Sequence, residues 1–311
     1  IAVNARFDAA NTLLKAGHWQ SAVNELQWFR RHYPDHELVG GIGEKLVYAY
    51  TESGQPARAA DELLALGATR TDPWPHRLRA AELYHEAGNT TARDRLYRDY
   101  LATGPSPVTA DQHVRFQTIR HRLMASAGKL PQLQSAMVDA ELASDWHSPD
   151  TVKWSAASAM ALGIREAEAF ADIALNHPLS RSLERKQAAL DAARARFAQA
   201  ERLGGESFRS QILFRRAELY RRLAEDLMAS AVPEELNEME AMQYRMLLEE
   251  EAYPFEEKAL ELHAENHRRI AETGYDDWIG KSLDVLARLH PGRYQRSMRW
   301  MSWNTQEAGD A

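Results

Sequence analysis

Four glycines recur in one setting. The stretches LLKAGHWQSAV, AYTESGQPARAA, LYHEAGNTTARD and LMASAGKLPQLQ place Gly17, Gly54, Gly88 and Gly128 where one helix-period pattern ends and another begins. The intervals are 37, 34 and 40 residues. The second pattern of each unit runs on to a proline, at Pro34, Pro73 or Pro105. Glycine can take the left-handed turn between two helices without steric cost, and proline stops the second helix. A chain built this way is predicted to be helix nearly everywhere, with no strand. Each helix pair exposes an apolar face that only a neighbouring pair can cover, so the units must stack.

The residues between the glycines carry a family resemblance. Ala9, Leu13, Gly17, Trp19, Ala22, Leu26, Phe29 and Pro34 match the small, large and proline positions of a tetratricopeptide repeat, a helix-turn-helix unit of about 34 residues. Leu46, Tyr50, Gly54, Ala59, Leu63 and Leu66 give a second unit. Ala80, Ala81, Tyr84, Gly88, Tyr97, Tyr100 and Pro105 give a third, with Arg93 where the family usually has alanine. Units around Gly128 and Gly163 are degenerate, and Ile270, Gly274, Trp278 and Pro291 look repeat-like again. The resemblance implies an all-α, right-handed superhelical solenoid with a concave binding surface. Small residues such as Ala9, Ala22 and Ala59 are expected where helices approach closely. Trp19, Trp28, Tyr33, Tyr84 and Trp154 are expected in the core rather than on a ligand platform.

Between Ser180 and Tyr275 the turn signals thin out. SLERKQAALDAARARFAQAERLGG and ESFRSQILFRRAELYRRLAEDLMAS exceed normal repeat helices, with Gly204 and Gly205 as the hinge of an antiparallel pair projecting past the repeats. The predicted organisation is therefore repeats over 1–178, a longer-helix module over 179–292 that ends in a repeat-like hairpin, and a capping segment with a frayed tail over 293–311. In that tail Arg293, Arg296 and Arg299 interleave with Tyr294, Trp300 and Trp303. Capping of the last repeat is the expected role, and a membrane-interface or peptide anchor the alternative.

Charge is distributed unevenly. Arg181 to Arg222 holds eleven Lys/Arg against five Asp/Glu, and Glu234 to Glu272 holds twelve Asp/Glu against four Lys/Arg. The simplest reading packs the two segments together, with Arg215, Arg216, Arg221 or Arg222 beside Glu249, Glu250, Glu251, Glu256 or Glu257. The sharper alternative is that these residues face a charged partner, which makes the five glutamates with Arg215, Arg216 and Arg222 the candidate partner-binding set. Pro254 follows Glu249–Glu251 closely, so the helix must either kink and continue or surround these acids with basic neighbours.

Other chemistry is excluded or weak. With no cysteine there is no disulfide, Cys-based zinc site or thiol catalysis. A net charge of −7 argues against a general nucleic-acid binder. His263 and His267 share a helix flank, but HAENH lacks the glutamate directly after the first histidine that a zinc protease needs. No phosphate loop or nucleophile elbow is present. No catalytic residue, cofactor or metal is predicted. No apolar run approaches the roughly 18 residues of a membrane span, and any targeting signal is expected to have been removed. Membrane association would be indirect, or through a removed N-terminal anchor.

Residues 236–294 also resemble the C-terminal module of bacterial envelope tetratricopeptide proteins found with TonB-type energy transducers or gliding machinery. The features are YRMLLEEEAYPFEEKALELH, Trp278 with a following apolar helix, and LHPGRY at the end. This resemblance implies a periplasmic protein–protein adaptor for an envelope complex. The alternatives are a structural subunit that oligomerises or docks on a membrane complex through its long helices, an enzyme using the glutamates and histidines, and a cytoplasmic location.

Overall fold

The structure, a computed structural model, describes residues 2–128 and 130–295. Among them every regular element is helical and no strand occurs. The chain divides into two compact units, Ile1–Leu130 and Pro131–Ala311.

The first unit contains α1 (Ala2–Lys15), α2 (Trp19–His32), a 3-10 turn (Glu37–Gly41), α3 (Ile42–Glu52), α4 (Pro56–Gly67), α5 (Trp74–Glu86), α6 (Thr90–Thr103) and α7 (Ala110–Ala127). Each helix packs on its neighbours in the chain. The turns between α1 and α2, α3 and α4, and α5 and α6 are copies of one another. In the first, the Gly17 N–H donates to Leu14 O and the His18 N–H to Leu13 O. Gly54 with Gln55, and Gly88 with Asn89, repeat both bonds at the same offsets. The three glycines sit at φ 74°, 70° and 73°, the left-handed region this paired-carbonyl cap requires. The repetition seen in the sequence is thus a repetition of backbone chemistry.

Burial follows the pattern with one shift of register. Ala22, Leu26 and Phe29 of α2, Leu46 and Tyr50 of α3, and Ala59 of α4 are buried. On α1, however, Ala10 and Leu14 are buried, while Ala9 is exposed and Leu13 only half-buried. The aromatic residues expected in the core divide. Tyr84 is buried and donates to Asp61 of α4 at 2.5 Å; burial, then this hydrogen bond, push its phenol up to about 12. Trp19, Trp28 and Trp154 are half-buried and Tyr33 is exposed. Trp28 stacks on His32 at 4.1 Å and carries Arg6 over its ring at 3.5 Å. Arg93 is buried with Asp94 at 2.6 Å, and Ser126 of α7 donates to the same carboxylate. This buried ion pair ties α6 to α7.

The second unit contains α8 (Pro131–Leu142), α9 (Pro149–Ala171), α10 (Leu179–Gly204), α11 (Glu206–Met228), α12 (Glu238–Arg268), α13 (Ile270–Thr273), α14 (Asp277–Leu289) and α15 (Pro291–Tyr294). Gly163 marks no turn. It lies inside α9, where a Cβ would meet the Phe197 ring of α10 at 2.7 Å, so its service is close helix approach. Gly205, at φ 50°, separates α10 from α11, as the Gly204–Gly205 hinge predicts. The two long helices bury their main faces elsewhere, α10 on α9 and α11 on α12. Helix α14 packs against both α11 and α12, which makes a three-helix cluster at this end of the chain. Helix α12 runs unbroken through Pro254, so Glu249–Glu251 stand in mid-helix rather than at a negative end.

Lys186 of α10 is wholly buried. Its ammonium meets Asp226 of α11 at 2.7 Å and the carbonyls of Phe170 and Ile173 at 3.1 and 2.7 Å. A buried ammonium is tolerated because all its donors are used.

Candidate functional site

A groove of about 520 Å³ opens between α5 and α7, with α6 behind it. Its aromatic side is built by packing. Trp74 of α5 meets Tyr100 of α6 edge-on at 5.1 Å, and Tyr100 meets Phe116 of α7 at 4.8 Å. Its basic side comes mostly from α7, where Arg115 and Arg122 are seven residues apart and share one helix flank. Arg122 donates to the Tyr97 hydroxyl at 2.7 Å, which fixes its stem. Arg115 is exposed and makes no ion pair among the described residues. Arg79 on the opposite wall is engaged by Glu82 at 2.9 Å. Tyr97, Tyr100 and Phe116 are buried, so the groove offers the half-buried Trp74 and guanidinium donors to an extended chain carrying a carboxylate. Sequence reasoning passed over it; the available signal was the Arg115–Arg122 interval on a helix with its buried side at Phe116, Ile119 and Leu123.

The residues singled out in the charged segments are not brought together. Arg215 lies over the Trp278 ring at 5.3 Å, and Arg216 pairs with Glu201 of α10 at 3.5 Å. Arg221 pairs with Glu218 and Glu225, and Arg222 with Asp226 at 3.0 Å. Glu249, Glu250, Glu251, Glu256 and Glu257 are exposed and make no ion pair among the described residues. The helices of opposite charge do pack, but the expected pairing is corrected: among the described residues none of Arg215, Arg216, Arg221 and Arg222 pairs with any of these five glutamates. The ties between α11 and the end of α12 come from other residues, such as Arg209 with Glu265 at 3.6 Å and Arg269 with Glu206 at 2.7 Å.

The two histidines also part company. His267 meets Tyr294 edge-on at 5.8 Å, whereas His263 is wholly buried. His263 Nε2 is 3.2 Å from Glu218 Oε1, and its Nδ1 is 3.2 Å from Ser282 Oγ. Asn266 Nδ2 donates to Ser282 Oγ at 2.9 Å and to Ser210 O at 3.0 Å. Ser282 Oγ thus meets both Asn266 Nδ2 and His263 Nδ1, while Glu218 meets Nε2. Burial pushes the Glu218 carboxyl up, but hydrogen bonds from His263 and Arg221, with their charges, outweigh it and hold the carboxyl at about 2. A serine, a histidine and a carboxylate in line suggest nucleophilic catalysis. Here Ser282 and His263 are both fully buried, so the hydroxyl does not face solvent. The array is a polar clasp joining α11, α12 and α14.

Arg296 to Ala311, including Trp300 and Trp303 of the expected capping segment, lie outside the described residues. Arg293 and Tyr294 form the end of α15. No helix of the described residues is long and apolar enough to cross a membrane. No protein-family model matches the chain, and no curated protein matches it.

Proposed function

We propose that the chain is a non-enzymatic scaffold, a right-handed solenoid of tetratricopeptide-like hairpins that holds an extended peptide of a partner protein in the groove between α5 and α7. The observation that carries this reading is the groove itself, where Arg115 stands unpaired beside a row of packed aromatic side chains. The three identical glycine-capped turns support the repeat assignment. A carboxylate of the peptide meets Arg115 and Arg122, and an apolar residue next to it lies on Trp74. The setting is an envelope complex of the TonB type, facing the periplasm. This part of the reading rests on the resemblance of residues 236–294.

A photo-crosslinking side chain at Glu82, on the groove wall, tests both parts in living cells. The expected products are envelope proteins, each joined through a short segment carrying Asp or Glu. Recovery of cytoplasmic proteins alone rejects the envelope setting, and no product beyond that of an unirradiated control rejects the groove.

A further inference from the structure

Helix α12 has two opposite faces of different fate. Leu248, Ala252, Ala259, Leu262 and Asn266 are buried in the second unit. At about 100° per residue, Met239 and Met246 fall roughly 180–200° from Leu248. Met239 is 73% exposed, Met242 64% and Met246 54%, with Leu247 at 61% and Tyr253 at 62% beside them. The intervals 239, 242, 246, 249, 253, 256 alternate three and four, the spacing of a helix-to-helix seam. Its first half is methionine and its second half is acid around Tyr253. Residues 238–257 hold seven glutamates against Arg245 alone.

We propose that this outward stripe of α12 is a docking surface for a basic amphipathic helix of a partner protein. It belongs to the second unit and the α5–α7 groove to the first, and the proposal does not depend on the groove. Methionine is unbranched and polarizable, so it moulds itself to the apolar residues of an incoming helix. Glu249, Glu250, Glu251, Glu256 and Glu257 make no ion pair among the described residues, and lysine or arginine flanking the partner's apolar stripe supplies the cations. From Met239 to Glu256 the stripe runs about 26 Å, which matches five turns of helix. A second copy of this chain paired through the stripe brings glutamates against glutamates when parallel and against methionines when antiparallel, with no basic stripe in either case. An anionic membrane surface repels the glutamates as well. A basic helix alone satisfies both halves of the stripe. The scaffold then has a second contact, specific for charge and helical form rather than for an extended chain.

The test uses the whole chain and two synthetic helical peptides of about 21 residues, with leucine at the seam positions and either lysine or glutamate elsewhere. Fluorescence anisotropy reads binding. The lysine peptide is expected to bind at about 50 mM salt and to weaken strongly at about 500 mM, while the glutamate peptide does not bind. The combined variant Met239→Gln, Met242→Gln, Met246→Gln is expected to lose about tenfold or more of the affinity with an unchanged melt, which equals about 1.4 kcal/mol. The variant Glu249→Gln, Glu250→Gln, Glu251→Gln is expected to lose affinity at low salt and to flatten the salt dependence. Absence of lysine-peptide binding overturns the proposal, as does binding that the methionine variant leaves intact. A dimer in sedimentation that the methionine variant dissolves, or anionic vesicles bound by the native chain only, overturns it in favour of another occupant. None of these substitutions touches Arg115 or Arg122, so failure here leaves the groove reading standing.

Discussion

His263 Nε2 and Glu218 Oε1, 45 residues apart in the chain, lie 3.2 Å from each other and join α12 to α11. The Glu218 carboxyl is held at about 2, below the ordinary carboxylate value near 4.3. A depressed carboxyl stabilises the fold above its unfolded value and ceases to do so as pH falls toward the folded one. The melting temperature is therefore expected to drop between about pH 4.5 and pH 2, and Glu218→Gln to flatten that limb of the profile. Equal acid sensitivity of the two proteins contradicts the role of the clasp.

Lys186 and Arg222 both contact Asp226, from opposite situations. Lys186 is fully buried and Arg222 is half exposed. Lys186→Ala is expected to cost about 3–5 kcal/mol, because it removes the wholly buried cation and leaves Asp226 with the half-exposed Arg222. Arg222→Ala is expected to cost about 0–1 kcal/mol. Urea unfolding of the two variants decides, and a larger loss for Arg222→Ala refutes the buried-ion account.

Gly54 sits at φ 70°, and a Cβ there meets no neighbour within 4 Å. The penalty of Gly54→Val is expected to come from the left-handed backbone, about 1–3 kcal/mol, and should exceed that of Glu250→Gln. Thermal melts that rank the two the other way contradict it.

The opposite charges of the Arg181–Arg222 and Glu234–Glu272 segments predict mutual pairing, and the structure reverses the consequence. The five glutamates lie close along one helix and make no ion pair among the described residues, so replacing all of them with glutamine relieves repulsion. The melting temperature is expected to rise at low salt and to change little at high salt, where the charges are screened within about 3 Å at 1 M. A fall at low salt restores the pairing account.

What could be read in advance was local. The caps at Gly17, Gly54 and Gly88 involve six consecutive residues, so their sequence signature is complete in one stretch. Register on α1 was not, because Ala9–Ala10 and Leu13–Leu14 offer the same pattern one residue apart and only the packing partner chooses. Gly163 reads locally like a turn glycine; the reason for its presence, the Phe197 ring, is 34 residues away. The clasp drew attention through His263, but Glu218 and Ser282 reach it from other helices. The groove needs three helices at once, and its arginines appear in the sequence as ordinary surface charges.

The central claim is that Arg115 and Arg122 grip a carboxylate-bearing peptide between α5 and α7. The direct measurement is the affinity of the peptide recovered by crosslinking from Glu82, set against the variant Arg115→Glu, Arg122→Glu. A loss of at least about a hundredfold, with the circular dichroism melt preserved, is the predicted result. An affinity within about twofold of the native chain contradicts the claim.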